Sequence, residues 1–220
     1  MEKHFEIVKQ CFLFDGIADS DLKGLLGCLS AVRRSYKKNE LVFSAGDAVS
    51  SVGVVLSGSV HVLQEDYWGN RTILAHIPPG GLFGEAFSCA EMDILPISII
   101  ATEKSEIFLI DYKRIITTCP SSCVFHIALI KNTMRMLAQK NIILTQKMEI
   151  IAHRTTRDRL LAYLSAQASK VGSNHFTIPF DRQQLADYLS VERSAMSTEL
   201  SKMQSDGLIR TDRSKFELLC

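Results

Sequence analysis

The sequence predicts an α+β protein: an N-terminal antiparallel β-roll or jelly roll, then a long dimerisation helix, then a C-terminal winged helix-turn-helix. Three observations predict this fold class. Short β-branched runs broken by glycines fill the first half, a seven-residue apolar repeat follows Pro120, and two helical patterns joined by a very short turn lie near the C-terminus. We place the three parts at residues 1–118, 119–153 and 154–220.

The first part contains many short strand-like segments. They cover residues 41–43, 52–56, 59–63, 72–77, 98–102 and 107–110, and the glycines between or beside them are Gly46, Gly58, Gly69, Gly80, Gly81 and Gly84. Short strands with glycine turns at this spacing are typical of an antiparallel sandwich, roll or barrel. A helix over residues 20–32 is predicted to precede them.

The apolar repeat predicts a long helix from about residue 121 to 153. Its a positions are Ile127, Met134, Asn141 and Met148, and its d positions are Ile130, Leu137, Leu144 and Ile151. One alternative is a single helix packed on its own domain, which needs a wider stripe but no strict heptad. A sustained a/d seam with one Asn at a favours a two-stranded coiled coil, hence a homodimer, in which the Asn pair fixes register.

Residues 181–209 predict the paired helices. Asp181 can cap the first helix, with Gln184 three residues on as in a capping box. Its apolar face is Leu185, Ala186 and Leu189; Ser190 and Val191 form the turn; the second helix starts near Glu192 and buries Met196, Leu200 and Met203. A new helix is predicted to start near Thr155, a short strand to cover residues 177–180, and segments 208–211 and 215–219 to pair as a wing.

The outward face of the second helix is polar but not rich in Glu and Lys. It carries Arg193, Ser194, Ser197, Thr198, Ser201 and Lys202. Such side chains can bond to base edges and phosphates in a major groove, so the stretch is typical of a helix-turn-helix that reads DNA. Arg193 is our candidate for base specificity, with Ser194, Ser197 and Thr198 beside it, whereas Lys202, Arg210 and Arg213 are candidates for phosphate contact.

Composition limits the class of protein but does not by itself indicate DNA binding. Hydrophobic residues make up 46% and charged residues 22% of the 220-residue chain, whose net charge is +1, as expected for a globular protein. Residues 151–220 hold ten Lys and Arg against eight Asp and Glu. The electrostatic signal is therefore weak, and DNA binding is predicted from the helix pattern.

The six cysteines lie scattered in apolar surroundings, and the N-terminus lacks the apolar core of a signal peptide. No run approaches transmembrane length. We therefore expect a cytoplasmic protein with reduced thiols and no membrane partner.

The whole arrangement resembles the CRP/FNR family of bacterial transcription regulators. The segment LSVERSAMSTELSKMQSDGLI is similar to the family's recognition helix, VGVVLSGSVHVL to its strand–turn–strand around Gly58, and LFGE to the start of its phosphate-binding cassette. The resemblance implies a cyclic-nucleotide-binding-domain-like sensor, a homodimer, double-stranded DNA with a palindromic operator as partner, and RNA polymerase as a candidate partner.

The chain departs from the family pattern in its recognition helix. Arg193 matches the family's first base-reading Arg, but Ser194 stands where well-known members carry Glu, and Thr198 where they carry a second Arg. Because Glu accepts from cytosine and Arg donates to guanine, both contacts change chemical type. We expect an operator that differs from the familiar one.

The sensor departs as well. The family's cyclic-AMP-binding members hold the phosphate with an Arg-Ser pair, and the matching positions here are Leu95 and Pro96. Leucine cannot neutralise a phosphate, and proline offers no backbone donor. The remaining carboxylate, Glu85, repels an anion, so we expect an effector other than cyclic AMP. Glu85 is either a polar anchor for that effector or a structural residue that bonds backbone amides in a turn.

Other cofactors have little support. An iron–sulfur cluster needs several closely spaced N-terminal cysteines, and only Cys11 and Cys28 lie there. Cys119 and Cys123, with His126, supply at most three metal ligands; the pair more simply caps a helix, and a redox role for Cys119 is a minor hypothesis. His76 could hold haem as in some relatives, although a lone His in a strand is more often structural.

No nucleophile–base pair, P-loop or HExxH motif is present, so we expect no enzyme. The sequence predicts a DNA-binding transcription regulator whose affinity for a palindromic operator is controlled by an effector bound in the β-roll near Glu85, Leu95 and Pro96. The alternatives are a ligand-binding or protein-interaction module whose helix-turn-helix does not read DNA, and a redox- or haem-sensing regulator.

Overall fold

A computed structural model describes residues 2–48, 51–116 and 124–219. The chain divides into two compact units. The first comprises Met1–Asn70 and Leu74–Lys140, and the second comprises Arg71–Ile73 and Asn141–Cys220. The division falls inside the long helix rather than at its ends, and the second unit includes a short piece of a strand from the first half of the chain.

The elements follow the order that the sequence predicts. The helices are α1 (Glu2–Gln10), α2 (Asp19–Cys28), α3 (Glu85–Cys89), α4 (Lys113–Ile116), α5 (Val124–Ala152), α6 (Thr156–Val171), α7 (Arg182–Leu189) and α8 (Arg193–Ser205), with a 3₁₀ turn at Phe12–Phe14. The strands are β1 (Val32–Tyr36), β2 (Leu41–Phe43), β3 (Ser51–Ser57), β4 (Val60–Glu65), β5 (Arg71–Ile77), β6 (Leu82–Phe83), β7 (Ser98–Ala101), β8 (Ser105–Asp111), β9 (His175–Thr177), β10 (Ile209–Asp212) and β11 (Lys215–Leu218).

Two four-stranded sheets form the roll of the first unit. Their strand orders are β1-β8-β3-β6 and β2-β7-β4-β5, and the registered pairs are antiparallel, as in Val54 opposite Phe108 and Val62 opposite Ile99. Both sheets contribute side chains to one core, namely Val55, Val60, Ile77, Phe83, Ile99 and Ile107, and the segment before β7 adds Leu95 and Ile97. The antiparallel roll predicted from the glycine-broken runs is therefore confirmed.

The turn between β3 and β4 depends on Gly58. Its φ is +73°, in the left-handed region, and a Cβ added there would lie 2.6 Å from the carbonyl oxygen of Lys104. Only glycine fits both constraints without strain. This is the strand–turn–strand that the segment VGVVLSGSVHVL predicts.

Helix α5 packs one face on the first unit through its N-terminal half. Leu129 and Met136 are buried in a core shared with α1, α2 and β3. Between them Asn132 donates through Nδ2 to the carbonyl oxygens of Leu13 (3.1 Å) and Asp15 (2.8 Å). These bonds satisfy a buried amide and fix which face of the helix turns inward.

The second unit is a winged helix-turn-helix with its own core. Helices α6, α7 and α8 bury Leu160, Leu164, Leu185, Leu200 and Met203 against a three-stranded sheet of order β10-β11-β9. Thr155 caps α6, since its hydroxyl accepts from the amide of Asp158 at 3.1 Å. The predicted wing is confirmed as the β10–β11 hairpin, in which Asp212 lies opposite Lys215.

Two local predictions need correction. The helix expected over residues 20–32 ends at Cys28, because Ser30 adopts a left-handed φ of 49° and Val32 already starts β1. The strand expected over residues 177–180 instead covers His175–Thr177, where it pairs with β11. The next residues, 178–180, turn Ile178 and Phe180 into the core around Pro179, which has no amide to donate to a sheet.

Among the described residues, no helix combines the length and apolar character needed to cross a membrane.

Lys147 on α5 is a buried cation of the second unit. It is 7% exposed; its Nζ lies 4.0 Å from the ring centroid of Tyr188 and donates to the carbonyl oxygen of Ile73 at 2.5 Å. Burial disfavours the ammonium form and lowers the pKa of Lys147 from 10.5 to about 8.

We expect this burial to make stability depend on pH. Between about pH 8 and pH 10.5 the unfolded chain keeps a proton that folded Lys147 has released, so Lys147 makes the free energy of unfolding rise with pH. Below about pH 8 both states are protonated and this dependence vanishes. In urea unfolding, the free energy of unfolding of the wild type should increase with pH relative to that of Lys147→Met; equal slopes would contradict this.

Candidate nucleic-acid interface and sensor site

The start of α7 is fixed by the predicted capping box. The carboxylate of Asp181 accepts from the amide of Gln184 at 2.8 Å, and the side chain of Gln184 accepts from the amide of Asp181 at 2.9 Å. Two orphan amides at the helix start are thereby satisfied. The capping box and the buried face of Leu185, Ala186 and Leu189 are confirmed.

The turn between α7 and α8 is held by an arginine from α6. Ser190 ends α7 in the left-handed conformation, with φ 53°. The Nη1 of Arg159 donates to the carbonyl oxygens of Leu189 (3.2 Å) and Ser190 (2.9 Å), and its Nε to that of His153 (2.8 Å). These bonds satisfy carbonyls that the helix end leaves open, so α6 helps to set how α8 leaves the turn.

Helix α8 presents its polar face by burying the opposite one. Met196, Leu200 and Met203 are fully buried, as predicted. On the flank, Arg157 of α6 forms ion pairs with Glu199 (3.2 Å) and Asp206 (2.6 Å). These charges bind each other rather than DNA, which explains why the near-neutral composition of this part says little about binding.

A groove of about 720 Å³ opens where α7, α8 and the wing meet. We call it the arginine groove; its lining residues are Ile178, Pro179, Phe180, Asp181, Arg182, Gln183, Arg193, Arg213 and Ser214. The backbone carbonyl of Arg193 accepts from Ser197, but within the part of the chain that the structure describes the guanidinium groups of Arg193 and Arg213 form neither a hydrogen bond nor an ion pair. Their guanidinium groups are therefore available to guanine or phosphate.

The wing tip that carries Arg213 is anchored to the helix-turn-helix. Arg213 has a left-handed φ of 51°, and the neighbouring Ser214 accepts through its carbonyl from the amide of Ile178 at 2.9 Å. Arg182 lies 5.3 Å from the ring centroid of Phe216 and donates to the hydroxyl of Thr211 at 2.9 Å. Sequence reasoning missed Arg182, although its place directly after the Asp181 cap marks it as the first residue of α7.

The other predicted DNA-binding residues lie on a second groove or on the wing. Ser194, Thr198 and Lys202 line a groove of about 560 Å³ together with Thr155, Thr156, Arg157, Ala195 and Glu199. Ser197 is exposed on α8. Arg210 lies on β10, 3.5 Å from the carboxylate of Glu217. The predicted set is therefore divided between two sides of α8.

The hydroxyl groups of Ser194, Ser197 and Ser201 on α8 already donate hydrogen bonds within the protein. Ser197 donates to the carbonyl of Arg193 (2.9 Å), Ser201 to that of Ser197 (3.1 Å), and Ser194 to the carboxylate of Glu192. A hydroxyl has one proton and two acceptor sites. In these rotamers the serine face of the helix can accept hydrogen bonds but not donate them.

The sensor residue Glu85 contacts the long helix. It is 3% exposed, starts α3 after Gly84, and its Oε1 lies 2.6 Å from Nζ of Lys140 on α5. The same ammonium donates to the carbonyl oxygen of Leu82 at 2.6 Å. A charge pair this buried is costly to break, so the start of the cassette is tied to α5.

Leu95 and Pro96 do not face the same environment. Leu95 is buried in the roll core beside Phe83 and Ile97, and its amide donates to the carbonyl of Asp47 at 2.9 Å. Pro96 is exposed. The position that matches the family's phosphate-binding Arg is therefore a core leucine, with its side chain packed on carbon.

The a/d seam of α5 is turned away from the cores. Exposure is 68% at Ile127 and Met134, 54% at Leu144 and 59% at Met148. Asn141 is exposed as well, and Ile130, Leu137 and Ile151 are partly exposed. The helix thus carries a second apolar face opposite the one that contacts the first unit.

Of the remaining candidates, His76 lies in β5 with its ring 5.2 Å from that of His61. Cys119 and Cys123 lie outside the described residues, as does the side chain of His126. Burial raises the pKa of the Cys11 thiol to about 11, which suppresses its thiolate. No group of three or more potential metal ligands occurs in the described ranges.

An antiparallel roll followed by a long helix and a winged helix-turn-helix defines a DNA-binding transcription regulator rather than an enzyme. Residues 33–121 match the model of the cyclic nucleotide-binding domain, and residues 158–219 match the Crp-like helix-turn-helix domain. The chain belongs to the CRP/FNR family of transcription regulators.

Relatives and solved structures agree along most of the chain. The transcriptional activator protein FnrA of Stutzerimonas stutzeri is 25% identical over 191 residues, covering 84% of this chain and 76% of that protein. The cyclic AMP receptor protein of Thermus thermophilus is 24% identical over 200 residues, covering 90% and 88%. The structure of the c-di-GMP-responsive regulator CLP of Xanthomonas campestris has the same fold, with a TM-score of 0.75, 22% identity and coverage of 90% and 99%.

Arg193→Ala should weaken specific DNA binding selectively. Loss of a guanine contact costs about 1–3 kcal/mol, whereas binding to random duplexes should stay nearly unchanged. Titrations of operator and random duplexes at one salt concentration would measure both. Arg210→Ala is the matched comparison: it removes the same charge from a candidate phosphate contact and should weaken binding to both duplexes alike. Equal losses on both duplexes for Arg193→Ala would show that Arg193 contacts only phosphate.

Proposed function

We propose that this chain is a homodimeric regulator whose affinity for a palindromic operator is controlled by an effector other than cyclic AMP, bound in the roll. The observation that carries the proposal is the exposed apolar seam of α5. Apolar side chains in a strict heptad, left uncovered on a helix whose other face is buried, favour pairing with a second copy. A two-fold dimer presents two recognition helices, and two helices read two half-sites.

The reading of DNA falls to α8 and the wing. Arg193 at the helix start and Arg213 at the wing tip share one groove and are free to bind, which suits one base contact and one phosphate contact. Ser194, Thr198 and Lys202 contribute from the other side of the helix.

We expect the effector to be a molecule that does not need a cationic side chain to bind a phosphate group. The cyclic AMP receptor protein and CLP are described as responding to cyclic nucleotides. In this chain the position that the resemblance predicts for the clamp is Leu95, packed in the core, and Oε1 of the Glu85 carboxylate is bound by Lys140. A ligand that favours one arrangement of the recognition helices over others would shift the population toward DNA binding or away from it.

Selection of duplexes from a random pool tests the DNA-binding function. Enrichment of a two-fold symmetric site supports it, whereas no enrichment at any protein concentration favours a protein-interaction or ligand-binding module. Mass spectrometry of small molecules retained through purification tests the effector. Stoichiometric cyclic AMP would overturn that part of the proposal.

The seam can be tested by one charge in the interface. Leu144→Glu would place two carboxylates face to face at a d layer, so we expect the dimer to dissociate at least roughly tenfold more readily. Gln146→Glu adds the same charge at an exposed position outside the seam and should leave the dimer intact. Sedimentation equilibrium measures both; indistinguishable dissociation constants would contradict the seam.

Asn141→Leu tests the register. Leucine at this a position should keep or raise dimer stability while loosening register or oligomer choice. A monomeric Asn141→Leu variant would count against the seam.

A further inference from the structure

The recognition helix α8 is capped by the carboxylate of Glu192. From the sequence alone, this residue only marks where the helix begins. Glu192 is the N-cap of α8: its Oε2 accepts from the amide of Ala195 at 2.8 Å and from the hydroxyl of Ser194. These donors lower the pKa of Glu192 to about 2, so the side chain is charged at every physiological pH. It is also exposed, on the part of the helix that enters a major groove first.

The hydrogen bonds from the Ala195 amide and the Ser194 hydroxyl both end on Oε2 of Glu192, and neither uses Oε1. The backbone amide of Ser194 also stabilises the carboxylate. These bonds hold the side chain against the helix end and reduce the conformational entropy that a further contact must overcome. Glu192 therefore presents a fixed carboxylate next to Arg193, with acceptor sites beyond those that the Oε2 bonds use.

The groups around the Glu192 carboxylate favour a hydrogen bond from a donor group of DNA. An anion near phosphates weakens binding to every sequence unless a particular contact offsets the repulsion. The neighbouring Ser194 and Ser197 have spent their protons on Glu192 and on a backbone carbonyl, so this side of the helix start offers acceptors only. Arg193 supplies donors directly beside it.

We infer that Glu192 determines specificity in the recognition helix, its carboxylate accepting a hydrogen bond from N4 of a cytosine in each half-site, beside the base that Arg193 contacts. The inference rests on the proposed DNA-reading function and deepens it.

Cytosine fits this acceptor better than the other bases. In the major groove, cytosine offers an amino donor, whereas guanine offers only acceptors and thymine an acceptor and a methyl group. Adenine also has an amino group, but its N7 acceptor lies beside it and repels a carboxylate. The hydrogen bond from Ser194 holds the Glu192 carboxylate at the start of the recognition helix.

Selection of duplexes by the full-length wild type and two variants tests the inference. Glu192→Ser removes the carboxylate but keeps a strong N-cap, so α8 should remain folded. Glu217→Gln is the charge-matched control, because it removes one negative charge from the wing. Protein concentrations are chosen high enough that the fraction of protein already in the DNA-binding state saturates its sites without effector, and circular dichroism checks folding.

We expect the wild type and Glu217→Gln to select the same symmetric site, with a cytosine at one position of each half-site. Glu192→Ser should lose that preference by roughly tenfold at this position alone, while its affinity for random duplexes stays equal or rises. Unchanged selectivity in Glu192→Ser overturns the inference and leaves the proposed function standing. No selected sequence in the wild type overturns both.

Discussion

Helix α5 is the element on which the rest of the structure depends, because it carries two faces that need burial. One face buries Leu129 and Met136 and satisfies Asn132 within the first unit. The other, from Ile127 to Ile151, repeats apolar residues every seven positions and stays open. In our proposal the same face of a second chain covers this exposed seam.

The roll contacts this helix through an ion pair as well as through the apolar core. Glu85 at the start of α3 and Lys140 on α5 form a largely buried pair, and Lys140 also satisfies the carbonyl of Leu82. Removing Lys140 would leave the buried Glu85 carboxylate without its cation, which is costly. Residues 33–121 match the cyclic nucleotide-binding domain, and in this domain Leu95 is part of the apolar core.

Some arginines of the second unit stabilise its fold through ion pairs and hydrogen bonds, whereas others are available for binding. Arg157 and Arg159 look like DNA-binding arginines in a sequence, yet Arg157 neutralises Glu199 and Asp206, and Arg159 closes the turn after α7. Arg193 and Arg213 have no such partners in the described chain. Net charge is therefore a poor guide here, since many of the charged side chains of this unit are paired with one another and the proposed interface depends on Arg193 and Arg213.

Local sequence signals determined much of this protein. Asp181 and Gln184, three residues apart, form a capping box. The glycine-broken β-branched runs predict an antiparallel roll, and the heptad predicts the outward face of α5. All three features depend on short-range sequence patterns. The misplaced boundaries, at the end of α2 and at β9, were decided by a left-handed Ser30 and by pairing with a distant strand.

Only the tertiary structure decided which side chains share a site. Arg193, Arg213 and Arg182 line one groove, whereas Ser194 and Thr198 line a groove on the other side of α8. Glu85 binds Lys140, which lies 55 residues away in sequence. The physical reason is that ion pairs and grooves depend on which elements pack together. Periodicity in one segment shows which face is apolar, but not which charge lies opposite.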